Sequence, residues 1–95
     1  MSIIFEVQDT SGRKIYLPER TWSHITKKHP YISSYVEKMK ETVKNPDKIT
    51  FLSLDKEVRY CYKYYKKFKK YVLVIVKYLN GKGHIITAHF VKTIQ

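Results

Sequence analysis

The chain is 95 residues long, with 43% hydrophobic and 15% aromatic residues, so it can build one core and is not a disordered polypeptide. Its 19 Lys and Arg residues against 8 Asp and Glu residues give a net charge of +11, and no apolar run approaches the roughly 20 residues that cross a membrane. A lone cysteine excludes a disulfide within the chain and a thiolate zinc site. We therefore expect one cytoplasmic domain, residues 1–95, with no membrane contact.

The positive charge is concentrated in the second half of the chain. Residues 1–47 carry 8 basic and 6 acidic side chains (+2), whereas residues 48–95 carry 11 and 2 (+9). A field of that sign attracts phosphate backbones, which predicts RNA or another polyanion as the partner. The alternatives are a solubility surface and the lysine enrichment of thermophilic proteins.

The chain opens with the pattern of a β-hairpin. Ile3–Val7 and Lys14–Leu17 are short apolar runs, and the turn residues Asp9–Gly12 separate them. Pro18 has the fixed φ of a first helical residue, so a helix is predicted from that point. The helix ends at His29–Pro30, because the α conformation is disfavoured for a residue that precedes proline.

A second helix is predicted from the stripe formed by Ile32, Val36, Met39 and Val43, with Ser33 or Ser34 as its cap. The remainder of the chain reads as strands, with a hairpin signal at Asn80–Gly83. The predicted strands are Ile49–Leu54, Val58–Tyr65, Tyr71–Leu79 and Ile85–Val91.

This order of elements is typical of the α+β class. We expect an N-terminal hairpin and two helices packed on one face of a four-stranded antiparallel sheet. The other face of the sheet would remain open, and the long strand Tyr71–Leu79 would lie in its middle.

Side-chain alternation predicts two different faces for the long strands. In the last strand, Ile86, Ala88 and Phe90 fall on one side, while the polar Thr87 and His89 fall on the other. The same period separates polar from apolar side chains in the two preceding strands. We therefore expect three strands to contribute polar groups to the open face, and the candidate constellation there is Arg59, Lys63, Lys77, Thr87 and His89.

RNA cleavage without a metal requires a base for the 2′-hydroxyl proton, an acid for the leaving oxygen and cations for the phosphate charge. His29 and His89 carry imidazoles, which titrate near neutral pH. Arg59 offers a fork for two phosphate oxygens, Lys77 a point charge and Thr87 a hydroxyl. These five residues are the predicted catalytic set.

Structural roles compete with several of these functions. A cation at the end of the first helix is favourable for dipole reasons, which gives His29 a structural alternative. Thr87 has the alternative of a hydrogen bond to a neighbouring strand, and His89 that of a solvated face. His24 and His84 are expected to be exposed side chains outside the catalytic set.

The segment Val58–Lys70 interleaves aromatic and basic residues, a pattern suited to unstacked bases and their phosphates. The predicted nucleic-acid-binding residues are Lys63, Tyr65, Lys66, Lys67 and Lys69. Asp55 and Glu57 have no partner at metal-ligand spacing, and Gly81 and Gly83 belong to a turn. We therefore predict neither a metal nor a cofactor.

Five short motifs occur in a familiar order: Trp22–Pro30, Asn45–Ile49, Arg59–Lys63, Val72–Lys77 and Ile85–Phe90. Together they resemble the phage-associated barnase/EndoU/colicin/RelE-like nuclease family over roughly residues 20–91. The order and spacing carry the resemblance, because each motif is short and mostly hydrophobic.

The resemblance implies a RelE/barnase-like ribonuclease-toxin fold, in which helices pack on a curved antiparallel sheet whose open face cleaves RNA without metal. Carried over by position, it implies that His29, Arg59, Lys77 and Thr87 belong to the active site. His89 stands where this family often has tyrosine, so the assignment of base and acid between His29 and His89 stays open.

Three functions follow as hypotheses. The first is a metal-independent endoribonuclease of toxin or phage-defence type, acting on RNA by acid–base transesterification. The second is a non-catalytic RNA- or DNA-binding module. The third is an interaction protein bound by an acidic, antitoxin-like partner that neutralises the basic half, and a monomer and a dimer are both open.

Overall fold

Within residues 2–95, which the computed structural model describes, the chain forms six strands, two α-helices and one 3-10 turn. Met1 lies outside the described residues. In chain order the elements are β1 Ile3–Gln8, β2 Lys14–Pro18, α1 Glu19–Lys28, the 3-10 turn Pro30–Ser34, α2 Val36–Lys44, β3 Lys48–Thr50, β4 Val58–Tyr65, β5 Lys70–Leu79 and β6 Lys82–Val91. The predicted α+β class is confirmed.

The six strands form one mixed sheet in the order β1-β2-β6-β5-β4-β3. Neighbouring strands are antiparallel except β2 and β6, which run parallel and pair at Ile15–Gly83 and Tyr16–His84. The predicted four-stranded antiparallel sheet is wrong, because the N-terminal hairpin extends the sheet. The close pairing of β2 with β6 requires Gly83, since a Cβ there would lie 2.5 Å from Ile15 Cδ1.

The helices cover one face of this sheet, and the core lies between the two layers. Strand β5 is central, flanked by β4 and β6, as predicted. Full burial of one large aliphatic side chain contributes about 1.5–3 kcal/mol. The buried side chains of this layer include Ile15, Leu17, Ile25, Ile32, Met39, Val43, Cys61, Val72, Val74, Val76, Ile85 and Ala88.

The helices begin at different residues from those predicted. Helix α1 begins at Glu19, and Pro18 is its N-cap residue. The predicted second helix is divided into the 3-10 turn and α2, which has Tyr35 at its N-cap. Ser33 is not a cap, because its hydroxyl donates to the carbonyl of Pro30 at 3.0 Å. No helix within residues 2–95 has the length and apolar character needed to cross a membrane.

The predicted strand Ile49–Leu54 is shorter than expected and ends at Thr50. The residues after it form a turn held by side chains. The backbone N–H of Asp55 donates to Ser53 Oγ at 3.0 Å, and that of Glu57 donates to Asp55 Oδ1 at 2.9 Å. Such local bonds compete with strand pairing.

Strands β5 and β6 are joined at Asn80–Gly81, where the sequence predicts a hairpin. Both residues have positive φ, 55° for Asn80 and 78° for Gly81. Two such residues define the turn that matches the twist of antiparallel strands. The tight turn places β6 beside β5 in the register that determines which side chains share a face.

Candidate active site

Strand register divides the predicted constellation between the two faces of the sheet. Arg59 pairs with Val76 and Lys63 pairs with Val72, so both lie on the helix-covered face. Thr87 pairs with Ile75, on the opposite side of β5. The prediction of a single polar surface is therefore wrong, because alternation identifies the two sides of each strand but not which sides coincide. The face away from the helices, which we term the open face although it includes the buried Tyr62 and Leu73, holds Lys77, Thr87 and His89.

A β-bulge in β6 turns its polar side chains towards the open face. The register shifts between the pairs Ile75–Thr87 and Val76–Ile85, which leaves Ile86 as the extra residue. Ile85 is fully buried and Ile86 is 38% exposed, so Ile86 does not share the core side with Ala88 and Phe90 as predicted. The bulge reverses the alternation at one position of β6.

His29 and His89 lie in contact, although 60 positions separate them in the sequence. Their rings are stacked, with centroids 5.0 Å apart and an interplanar angle of 22°. His29 is fixed at the end of α1, where its N–H donates to the carbonyl of Ile25 at 2.7 Å. The geometry thus places two stacked imidazoles at the edge of β6.

Tyr31 closes the edge of β6 beside this histidine pair. Its hydroxyl oxygen accepts a hydrogen bond from the N–H of Phe90 at 3.0 Å. The Tyr31 ring lies 5.2 Å from the Phe90 ring and 6.0 Å from the His29 ring. Sequence reasoning missed Tyr31, and its position after His29–Pro30 gives no signal of a partner as distant as Phe90.

The environment of His89 favours the neutral imidazole. Among residues 2–95, its Nδ1 has no hydrogen-bond partner, and it is buried. Protonation would make both ring nitrogens donors and leave a buried N–H without an acceptor. Burial lowers the pKa of His89 from its ordinary value of 6.5, and the neighbouring His29 and Lys28 lower the pKa further. A neutral imidazole can accept a proton at neutral pH.

Thr87 and Lys77 share the open face with His89 but differ in their surroundings. Thr87 lies two residues before His89 on β6, on the same side of the strand. Lys77 pairs with His84 across the strands, and its Nζ lies 2.8 Å from Asp55 Oδ2. The hydrogen bond between them raises the pKa of Lys77 and lowers the pKa of Asp55.

Arg59 belongs to a separate polar cluster beside the turn that joins β1 and β2. Its guanidinium lies 4.5 Å from the centroid of the Tyr78 ring, and that of Arg13 lies 5.2 Å from the same ring. The Tyr78 hydroxyl donates to Asp9 Oδ2 at 2.8 Å. Burial raises the pKa of the nearby Cys61 thiol to about 11, as expected for a cysteine packed in the core.

The predicted nucleic-acid-binding residues fall into two groups. Lys63 Nζ donates to the carbonyl of Asn45 at 3.1 Å and lies 3.7 Å from Asp47 Oδ1. Tyr65 packs against α2 and donates its hydroxyl to Glu41 Oε1 at 2.6 Å, and burial together with this bond raises the pKa of Tyr65. The exposed members are Lys66, Lys67 and Lys69, in the turn between β4 and β5.

An aromatic cluster connects this lysine turn to the histidine pair. The Phe68 and Phe90 rings are 5.3 Å apart, and Phe90 contacts Tyr31. Lys38 Nζ lies 5.8 Å from the centroid of Phe68, and Lys67 Nζ lies 5.9 Å from it. The basic turn and the imidazoles therefore belong to one continuous end of the molecule.

Among residues 2–95, no three His, Cys, Asp or Glu side chains form a cluster suited to a metal ion. A family model described as phage-Barnase-EndoU-ColicinE5/D-RelE like nuclease 3 matches residues 5–93. No curated protein and no solved structure matches the chain.

Proposed function

The chain belongs to the phage-Barnase-EndoU-ColicinE5/D-RelE like nuclease 3 family, and on that premise we propose that it is a metal-independent endoribonuclease with His29 and His89 as its acid–base pair. The observation that carries the proposal is the contact between the two imidazoles, whose ring centroids are 5.0 Å apart. Two imidazoles in contact supply the base and the acid that RNA transesterification requires.

His89 is assigned as the base, because its lowered pKa favours the neutral form. In the reaction it takes the proton of the 2′-hydroxyl, and the 2′-oxygen attacks the adjacent phosphorus. The bond from phosphorus to the 5′-oxygen breaks, and His29 donates a proton to that leaving oxygen. The products are a 2′,3′-cyclic phosphate and a 5′-hydroxyl end.

The charge of the phosphate is assigned to groups near the pair. Lys28 precedes His29 and is close enough to lower the pKa of His89. Thr87, on the same side of β6 as His89, supplies a hydroxyl donor. Arg59 packs on Tyr78 and Lys77 pairs with Asp55, so we assign both to positions outside the reacting phosphate.

The lysine turn is assigned to the RNA backbone. Lys66, Lys67 and Lys69 are exposed and adjoin the aromatic cluster that reaches Tyr31. Cations in this position attract phosphates in a salt-dependent manner and align a strand with the histidine pair.

The test is cleavage of labelled single-stranded RNA by EDTA-treated protein, with cyclic-phosphate ends as the readout. His29→Ala and His89→Ala should each reduce the rate by about 10²- to 10⁴-fold. Ser23→Ala is the matched control, because Ser23 is an exposed residue of the same helix and has no part in the proposed site. Equal cleavage by all three variants and the wild type would contradict the proposal.

A non-catalytic RNA-binding module is the second candidate. The position of Arg59 favours this binding module. Arg59 was predicted to stabilise the reacting phosphate, but within residues 2–95 its guanidinium lies on the helix-covered face and not on the open face. In that case RNA would be bound but not cut, and His89→Ala would leave the affinity unchanged. Lys67→Glu would still weaken binding and flatten its salt dependence.

A further inference from the structure

A cavity of about 570 Å³ lies where β2 and β6 separate. The strands pair at Tyr16–His84, and the chain then leaves the sheet at Pro18 to begin α1. The gap between the diverging elements has the size of a small-molecule site. Its lining residues are Tyr16, Pro18, Arg20, Thr21 and His84.

The lining side chains have the chemistry that recognises an unstacked base. Tyr16 and His84 lie on the open face, with ring centroids 6.1 Å apart and an interplanar angle of 37°. Arg20 is exposed at the start of α1. Aromatic rings bind bases by stacking, and a guanidinium adds attraction for the base or its phosphate.

Two elements connect this cavity to the histidine pair. Helix α1 carries Arg20 and Thr21 at its start and leads into His29, and ten helical residues span about 15 Å. Strand β6 leads from His84 to His89, and five strand residues span about 16 Å. The cavity and the pair are therefore at the two ends of one edge.

Cationic side chains occupy the helix along this edge. A smaller cavity of about 280 Å³ is lined by His24, Lys27 and Lys28, between the start of α1 and His29. A few nucleotides of extended single strand can follow this path, with their phosphates on α1. The edge thus has the length and charge to guide a strand from the cavity to the imidazoles.

We infer that the cavity lined by Tyr16 and His84 is a nucleobase subsite, which holds an unpaired base of the RNA a few nucleotides from the cleaved bond. The inference rests on the proposed function for the identity of the polymer. It also makes a claim of its own, because a free nucleotide without a scissile bond should bind there.

The first test is a titration of the full chain with each of the four 5′-ribonucleoside monophosphates, followed by backbone amide NMR shifts. Saturable shifts are expected at Tyr16, Arg20, Thr21 and His84. Ribose 5-phosphate, which lacks the base, should bind about fivefold more weakly or worse. Equal affinity for ribose 5-phosphate, or shifts confined to other residues, would overturn the subsite.

Variants provide the second test. Tyr16→Ala should weaken nucleotide binding about fivefold or more, and Tyr16→Phe should restore it, because the ring does the stacking. Tyr64→Ala is the matched control, since Tyr64 is an exposed tyrosine on the same face. Unchanged binding in Tyr16→Ala would refute the assignment, and if that variant does not fold, Arg20→Glu must weaken binding instead.

The experiments can refute the ribonuclease and the nucleobase subsite independently of each other. Nucleotide binding at the cavity without any RNA cleavage would remove the ribonuclease and retain the subsite. Cleavage that depends on His29 and His89, together with no nucleotide shifts at Tyr16 and His84, would retain the ribonuclease and remove the subsite.

Discussion

The histidine pair and the Asp9–Tyr78 cluster both gather polar residues from distant parts of the chain, but they differ in how those residues are satisfied. Asp9 accepts hydrogen bonds from the Ser11 side chain, from backbone N–H groups and from the Tyr78 hydroxyl. Burial alone would raise the pKa of Asp9, and these bonds together hold the pKa below its ordinary value. The cluster is thus a completed network.

The histidine pair is incomplete by comparison. His89 Nδ1 is buried without a partner among residues 2–95, and the neighbouring His29 disfavours its protonation. A buried unpaired polar group costs about 1–3 kcal/mol. Such a cost is common where a site is kept ready for a ligand or a proton, whereas a satisfied network stabilises the fold.

The largest expected effect that separates the two regions is on activity. His89→Gln keeps a polar side chain but cannot transfer a proton, so RNA cleavage should fall by about 10²-fold or more. The free energy of unfolding should change little, because the buried Nδ1 of His89 makes no hydrogen bond that the substitution could remove. A large loss of stability with retained cleavage would reverse the roles that we assign to the two regions.

The converse change is Asp9→Ala. It removes the acceptor of the Tyr78 hydroxyl, so the free energy of unfolding should fall by about 1–3 kcal/mol, measured by chemical denaturation. Asp9→Asn retains an acceptor and should lose less. Cleavage per folded molecule should be unchanged, and a parallel loss of activity in Asp9→Ala would join the cluster to the active site.

Stability should also depend on pH through His89. Folding lowers the pKa of His89 below 6.5, so the unfolded chain binds the proton first as the pH falls. The contribution of neutral His89 to the free energy of unfolding is complete above about pH 6.5, and it is lost as the pH decreases towards the pKa of the folded state. The melting temperature of the wild type should therefore fall more steeply from pH 7 to pH 5 than that of His89→Gln. Identical pH dependence in the two proteins would show that folding does not perturb the pKa of His89.

The smallest expected effect concerns two lysines of the basic half. Lys67 is exposed, so Lys67→Ala should reduce the slope of log affinity against log salt by about one. Lys63 is held by Asn45 and Asp47, and Lys63→Ala should change that slope less. Filter binding at several salt concentrations measures both, and equal slopes would mean that Lys63 is released when RNA binds.

Local patterns predict much of the fold. The alternation in Val58–Tyr65 and Tyr71–Leu79 and the turn at Asn80–Gly81 are determined by neighbouring residues, and the structure confirms them. The helix end at His29 follows from Pro30, because proline acts on the residue before it. These features require no knowledge of distant contacts.

Features that depend on distant pairing could not be predicted in this way. The parallel contact of Tyr16 with His84 joins segments whose own patterns do not reveal each other. The bulge at Ile86 changes the side on which β6 residues point without a glycine or proline to mark it. Alternation also does not show which sides of two strands coincide, so Arg59 was expected beside Thr87 and lies on the other face.

The parallel pairing of β2 with β6 also has a kinetic consequence. It joins Ile15 to Gly83, 68 positions apart in the sequence, whereas β4, β5 and β6 are connected by short turns. Closing a long loop costs entropy before the contact repays it, so we expect the amino-terminal hairpin to dock late in folding. Ile15→Val should then accelerate unfolding and leave the refolding rate nearly unchanged in stopped-flow measurements. On the ribosome, β2 would wait with an unpaired edge until residue 83 has been synthesised.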